Sequence, residues 1–272
     1  MLMERKNLAE FAALTAAGTI NEYTGNLKVG VDLGTANIVI AVVDGNDRPI
    51  AGVTAPSTVV KDGIVVDYVG AVQTVRKLKQ QLETQLGQEL IWAATAIPPG
   101  ISEGNVRCIT NVVEGAGFEV NTVIDEPTAA AKVLAIHDGA VVDVGGGTTG
   151  ISILKNGKVT FTADEATGGT HMTLVLAGYY GISFAEAEHM KKNWKQEADV
   201  FPLIIPVIEK MAVIVKKAIG RRKVPTVYVV GGAGSFKKFE DVFEKILGIP
   251  TMKPNDGLFV TPLGIAMSCQ ND

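Results

Sequence analysis

Val31-Asp32-Leu33-Gly34-Thr35 and Val142-Asp143-Val144-Gly145-Gly146-Gly147-Thr148 carry the same pattern: an apolar run that ends in an aspartate and passes straight into a glycine-bearing turn. Around the first, Leu27 to Val43 is dense in Val and Ile. It is interrupted only at Gly34-Thr35-Ala36-Asn37, which reads as strand, tight turn, strand. Around the second, Ala140 to Gly145 leads through glycines into Ile151-Ser152-Ile153-Leu154 and the turn Asn156-Gly157. Laid over one another, Asp32 meets Asp143 and Gly34 meets Gly145, and the apolar residues beyond each turn stay in register. An internal repeat of this kind predicts two homologous lobes.

The rest of the chain alternates helical and strand patterns, which predicts an α/β architecture. Helices are expected over 71–86, 102–115, from Asp125-Glu126-Pro127-Thr128 through Ile136, over 170–178 and over 205–219. Strands are expected over 90–97, 119–124 and 224–230, the last running into Gly231-Gly232-Ala233-Gly234-Ser235. At the N-terminus, Leu8, Phe11, Ala12 and Leu14 recur at helical spacing. They predict a short amphipathic helix over 7–17 capped by Asn7, either packed on the body or serving as a docking peptide. The expected division is 1–26 for that helix and its linker, 27–137 plus 260–272 for the first lobe, and 138–259 for the second.

Composition narrows the function classes. Hydrophobic residues make up 47% and charged residues 20% of 272 positions, enough to bury two cores. A net charge of −4 argues against broad capture of nucleic acid, because neutralising phosphates needs clustered Lys and Arg. The basic run from Lys216 to Lys223 reads instead as the C-terminal end of a helix. The most apolar window, Phe201 to Ile208, is short and interrupted by Pro202 and Pro206, so no membrane span is expected. Cys108 and Cys269 stand far apart, and His137, His171 and His189 form no ligand pair; a reducing cytoplasmic setting and no zinc site are expected.

Glycine turns at the ends of apolar strands let backbone approach phosphate oxygens, and successive N–H groups form an anion-binding concavity. The sequence GxxxxGK[ST] is absent, which excludes a P-loop. Gly145, Gly147 and Gly150 do spell GxGxxG. A dinucleotide fingerprint opens a helix, however, whereas Thr148 to Leu154 is β-branched and ends in a hairpin.

Taken together, 31–35, 125–131, 142–148 and Val230-Gly231-Gly232 resemble, in order, the first phosphate, connecting, second phosphate and adenosine motifs of DnaK-type chaperones and actin-like ATPases. Across the whole chain, with Asp62-Gly63-Ile64-Val65, 164–169 and Thr261-Pro262-Leu263, the sequence is most similar to the EutJ family of ethanolamine utilisation proteins, described as chaperonin-like. The resemblance implies an actin-like/DnaK-type ATPase fold of two duplicated lobes, with mixed β-sheets flanked by helices and reduced peripheral subdomains. It implies ATP and Mg²⁺ as cofactors, and proteins of the ethanolamine pathway or its bacterial microcompartment as partners. Asp32 and Asp143 would hold Mg²⁺ through its water shell. Gly34, Thr35, Gly145, Gly146, Gly147 and Thr148 would meet the phosphates, and Gly168, Gly169, Gly231 and Gly232 would complete the nucleotide site. Glu126, with Asp143, would serve hydrolysis by orienting water.

Four departures qualify the expectation. Gly150 stands where DnaK-type proteins carry an acidic residue. Their first-lobe phosphate-proximal lysine has no counterpart, no arginine follows the adenosine turn, and the base-clamping segment over 179–207 is cut down. Slow hydrolysis and weakened base affinity follow. A chaperone-like assembly factor, a non-catalytic two-lobed interaction module, a small-metabolite kinase using Asp164 or Glu165, and an actin-like filament are the readings left open.

Overall fold

The computed structural model describes residues 2–61 and 63–270. Asp62, of the stretch 62–65, and the terminal residues of the expected divisions lie outside them.

Two five-stranded sheets carry the fold. The first is built from β1 (Leu27–Leu33), β2 (Asn37–Asp44), β3 (Pro49–Pro56), β6 (Trp92–Ile97) and β7 (Glu119–Asp125), in the order β3-β2-β1-β6-β7. A short hairpin, β4 (Val60–Lys61) with β5 (Ile64–Val65), lies between β3 and β6. The second sheet contains β8 (Gly139–Val144), β9 (Thr149–Lys155), β10 (Lys158–Glu165), β11 (Val227–Val230) and β12 (Thr251–Met252), in the order β10-β9-β8-β11-β12. In each sheet the central strand pairs antiparallel with the hairpin strand that follows it and parallel with the next. Leu33 pairs with Ile38, and Val144 pairs with Thr149. The two turns that decided the sequence reading are therefore equivalent in register as well as in composition, and the protein has the duplicated, mixed-sheet α/β architecture expected of it.

Nine helices cover the sheets among the described residues: α1 (Leu2–Ala17), α2 (Tyr68–Leu86), α3 (Glu103–Gly115), α4 (Glu126–Val133), α5 (Gly169–Tyr180), α6 (Phe184–Lys192), α7 (Glu197–Ile219), α8 (Phe239–Leu247) and α9 (Val260–Ser268). Most caps are legible in the sequence. Asp67, Ser102 and Asp125 accept the N–H groups of Gly70, Asn105 and Thr128 and open α2, α3 and α4. Ser183 and Glu186 form a reciprocal box that opens α6.

Between the sheets, α4 and α9 cross with their backbones almost touching. A Cβ at Gly264 would lie 2.0 Å from the Ala129 carbonyl oxygen, and one at Gly30 would lie 2.2 Å from Ala266 N. Only glycine admits that approach. The crossing fixes where α4 presents Glu126 and where α9 presents Thr261.

Three expectations need correction. Asn7 does not cap α1: the helix begins at Leu2, and the Asn7 amide donates to the Asp47 carbonyl at 3.5 Å. The helix after Asp125 stops at Val133, short of Ile136, because Ala135 takes a left-handed conformation (φ 50°). Third, α7 does not wait for Ile205 but runs through both Pro202 and Pro206. Those prolines share an exposed face with Ala198. The carbonyls of Ala198 and Pro202, which lose their N–H partners, thus face water, while Val200, Ile204 and Ile208 on the opposite side are buried.

Helix α1 packs on β3, where Gly52 leaves room for Phe11. Phe11 is fully buried and meets Phe259 edge-on at 5.4 Å between ring centres. Replacing Phe11 with Ala should cost about 3–5 kcal/mol of stability in urea unfolding, as emptied aromatic core sites do. A loss below about 1 kcal/mol would show that α1 docks without depending on this ring.

Candidate nucleotide cleft

The two equivalent turns face each other across a cavity of about 510 Å³. Asp32, Gly34, Thr35, Glu126, Asp143, Gly145, Gly146, Gly147, Thr148, Gly169, Gly231 and Gly232 all line it. Gly168 does not. It sits behind the second turn as the N-cap of α5, where a Cβ would lie 2.7 Å from the Gly145 carbonyl oxygen and 2.8 Å from that of Gly146. The N–H groups of Gly169 and Thr170 donate to those same carbonyls at 2.9 and 2.8 Å, so the start of α5 braces the turn. Across the cleft a Cβ at Gly146 would come within 3.0 Å of Ala36 Cβ and 3.4 Å of Thr35 Cβ. The turns of the two sheets therefore nearly meet, and side chains there would fill the space between them.

At the floor are carboxylates. Asp143 Oδ2 accepts a 2.5 Å hydrogen bond from the Thr261 hydroxyl at the start of α9. Its Oδ1 lies under Gly231, whose left-handed backbone (φ 88°) would place a Cβ 2.4 Å away. Asp32 is pushed up to about 7, first by burial and then by the negative charge of Asp143. Burial holds Glu126 well above the usual carboxylate range, with Asp143, Asp32, Asp164 and Asp125 adding repulsion. Asp143 is raised as well, again by burial, against the lowering effect of the Thr261 hydroxyl. Carboxylates so placed share too little water to be ionised together, and a cation among them would relieve the strain. No three His, Cys, Asp or Glu side chains among the described residues converge tightly enough to ligate an ion directly. Hard-cation binding through retained waters, the habit of Mg²⁺, suits this donor set.

Sequence reasoning missed the contribution of 179–207. Rather than being merely shortened, this segment forms α6, which brings Glu188, Lys191 and Lys192 to the cavity wall. Lys191 donates to the Gly169 carbonyl at 3.0 Å and the Thr173 hydroxyl at 2.7 Å, and pairs with Glu188 at 2.7 Å. Burial lowers its pKa, and Glu188 opposes that effect. Lys192 pairs with the other Glu188 oxygen at 3.2 Å and is more exposed. The Ser183–Glu186 capping pair and the Glu188, Lys191, Lys192 spacing were the available signals. The lysines on the cavity wall thus come from a helix of the second sheet. Gly150, opposite Asp164 in the β9–β10 ladder, is hemmed by Pro127 and Pro99 at 3.3 and 3.6 Å from where its Cβ would be.

Similarity to known proteins agrees with this geometry. The chain is 46% identical to the ethanolamine utilization protein EutJ of Salmonella typhimurium over 89% of its own length and 85% of that protein. The chain belongs to the EutJ family of ethanolamine utilization proteins. The crystal structure of EutJ from Carboxydothermus hydrogenoformans superposes on it with a TM-score of 0.93 at 48% identity, covering 98% of both chains. The family model described as MreB/Mbl protein matches residues 52–191, and that described as Cell division protein FtsA matches 140–264. MreB5 of Spiroplasma citri, solved bound to AMPPNP, shares the fold with a TM-score of 0.67 at 17% identity over 89% of this chain and 95% of its own. This EutJ-family chain therefore has the actin-like ATPase fold.

The raised carboxyls set a pH dependence. Between about pH 4 and 7 the folded protein keeps a proton on Asp32 that the unfolded chain has released, so stability falls as pH rises through that window. Glu126 and Asp143 act in the same sense. In metal-free buffer the melting temperature should drop from pH 5 to pH 8, and Asp32→Asn should flatten the drop. Parallel melting curves for the two proteins would refute the placement of Asp32.

Proposed function

We propose that this chain is a chaperone-like, nucleotide-binding accessory protein of ethanolamine utilisation, which uses Mg-ATP to assist the assembly or reactivation of microcompartment enzymes. The observation that carries the nucleotide reading is the pair of register-equivalent glycine turns facing one another over Asp32, Asp143 and Glu126. The MreB5 structure, whose bound AMPPNP belongs to that protein, supports the ligand class. Family membership supports the pathway.

In this reading the backbone of 34–35 and 145–148 receives the phosphate oxygens, and Lys192 adds charge at the edge. Asp32 and Asp143 hold Mg²⁺ through its waters, and when bound the ion neutralises phosphate charge and lets the nearby carboxyls ionise. Glu126 opens α4 at the cavity wall, where its carboxylate orients a water toward the terminal phosphate. Thr261 keeps Asp143 turned inward. Lobe surfaces engage the protein partner, and ATP sets the relation between them.

Gly150 favours a second reading, a non-catalytic two-lobed interaction module that binds nucleotide weakly or not at all, since no acidic side chain projects from that position. Titration calorimetry separates the two. Wild-type protein should bind MgATP and Asp143→Ala should lose binding. Glu126→Gln should retain binding while its hydrolysis rate falls about 100-fold. Unchanged hydrolysis in Glu126→Gln would remove that residue from the mechanism, and absence of binding at millimolar MgATP would leave only the interaction module.

A further inference from the structure

Trp194 is the most exposed large apolar side chain among the described residues. It lies in a short turn of helix, Trp194–Gln196, between α6 and α7, and is 74% exposed, yet it lines the same cavity as the two glycine turns. A tryptophan offers one of the largest apolar surfaces in the chemistry of proteins, and leaving it in water forgoes a large gain. Among the described residues no other aromatic ring packs on it. Only the Lys195 ammonium stands near its face, at 5.7 Å from the ring centre.

The surroundings define what such a ring could meet. Glu197, three positions on, accepts the backbone N–H of Lys237 at 2.7 Å. That bond ties the Trp194 turn to the segment following Gly231-Gly232. Phe236, the other aromatic ring in this part of the wall, is 7% exposed and already packed on Phe201 at 5.9 Å. Ala233 and Leu258 line the same cavity, and the Leu258 side chain lies 3.0 Å from where a Gly232 Cβ would be. The cavity thus has backbone donors and carboxylates at the two turns, and elsewhere on its wall an uncovered indole with Ala233, Phe236 and Leu258, beside the charged side chains of α6. A ligand matching both features is a polyanion joined to a flat aromatic group.

Resting on the nucleotide reading above, we propose that Trp194 is the base-stacking platform of the cleft, a specificity-determining residue that gives a nucleoside triphosphate its advantage over the bare phosphate chain. Its ring supplies the aromatic contact that no arginine after Gly231-Gly232 provides. Because stacking uses the face of a base and not its edge, the platform selects for an aromatic group rather than for one hydrogen-bonding pattern.

The test compares MgATP with magnesium tripolyphosphate, by calorimetry and by tryptophan emission, on wild type, Trp194→Ala and Trp194→Phe. The side chain is mostly in solvent, so neither variant should disturb folding; matching melting temperatures check this. ATP should quench wild-type emission. Trp194→Ala should bind ATP about tenfold more weakly, the loss typical of one base–aromatic contact, with Trp194→Phe recovering most of it. Tripolyphosphate should bind all three alike. Equal ATP affinity in wild type and Trp194→Ala would overturn the platform while leaving the phosphate site standing. Equal loss of ATP and tripolyphosphate in Trp194→Ala would overturn it too, since the ring would then be shaping the cleft. A wild type that binds tripolyphosphate as tightly as ATP has no base subsite. Failure to bind either ligand would overturn the nucleotide reading together with the platform.

Discussion

Asp32 and Asp143 close the central strands of two separate sheets, and both open into one poorly hydrated cleft. Like charges held there repel each other and lack the water that would screen them, so each carboxyl is driven toward its protonated form. That arrangement lowers stability near neutral pH, and a fold maintains it only by holding the two ends firmly. Here the hold comes from α9, which Gly264 lets approach the backbone of α4 and Gly30 lets approach that of β1. The same packing delivers Thr261 to Asp143 and Glu126 to the cavity wall.

Seen from this constraint, the glycines of the chain fall into distinct physical groups. Gly264 and Gly30 serve helix packing, and Gly231 has both a left-handed backbone and a carboxylate oxygen where its side chain would be. Gly146 lets the two turns come close to one another, and Gly168 lets α5 brace the second turn from behind. The rigid floor contrasts with the rim, where α6 and the Trp194 turn present exposed side chains of mixed character.

The duplication was fully legible because it is written in local terms. An aspartate after a β-branched run, glycines after it and a hairpin beyond are short-range signals, and their recurrence in register needs no tertiary information. The cap of α4 at Asp125 was equally local. The N-terminal helix was readable from Leu8, Phe11 and Leu14, but its true start was not, because Asn7 has the chemistry of a cap and is used instead to reach Asp47 across the fold. The course of α7 through Pro202 and Pro206 was hidden for a related reason: whether a proline ends a helix depends on whether the freed carbonyls face water, and that depends on which side the neighbouring core covers.

By itself the sequence determined the α/β class, the twin turns, the strand-end carboxylates and the family, all of which rest on residues close together along the chain. Tertiary structure alone decided that Glu188, Lys191 and Lys192 come to the cavity wall, that Gly168 stands behind the turn, that burial pushes Asp32 up to about 7, and that Trp194 meets the cavity instead of the core. Each of those depends on which groups share a few ångströms of space and how much water reaches them. Spacing along a chain carries no record of either quantity.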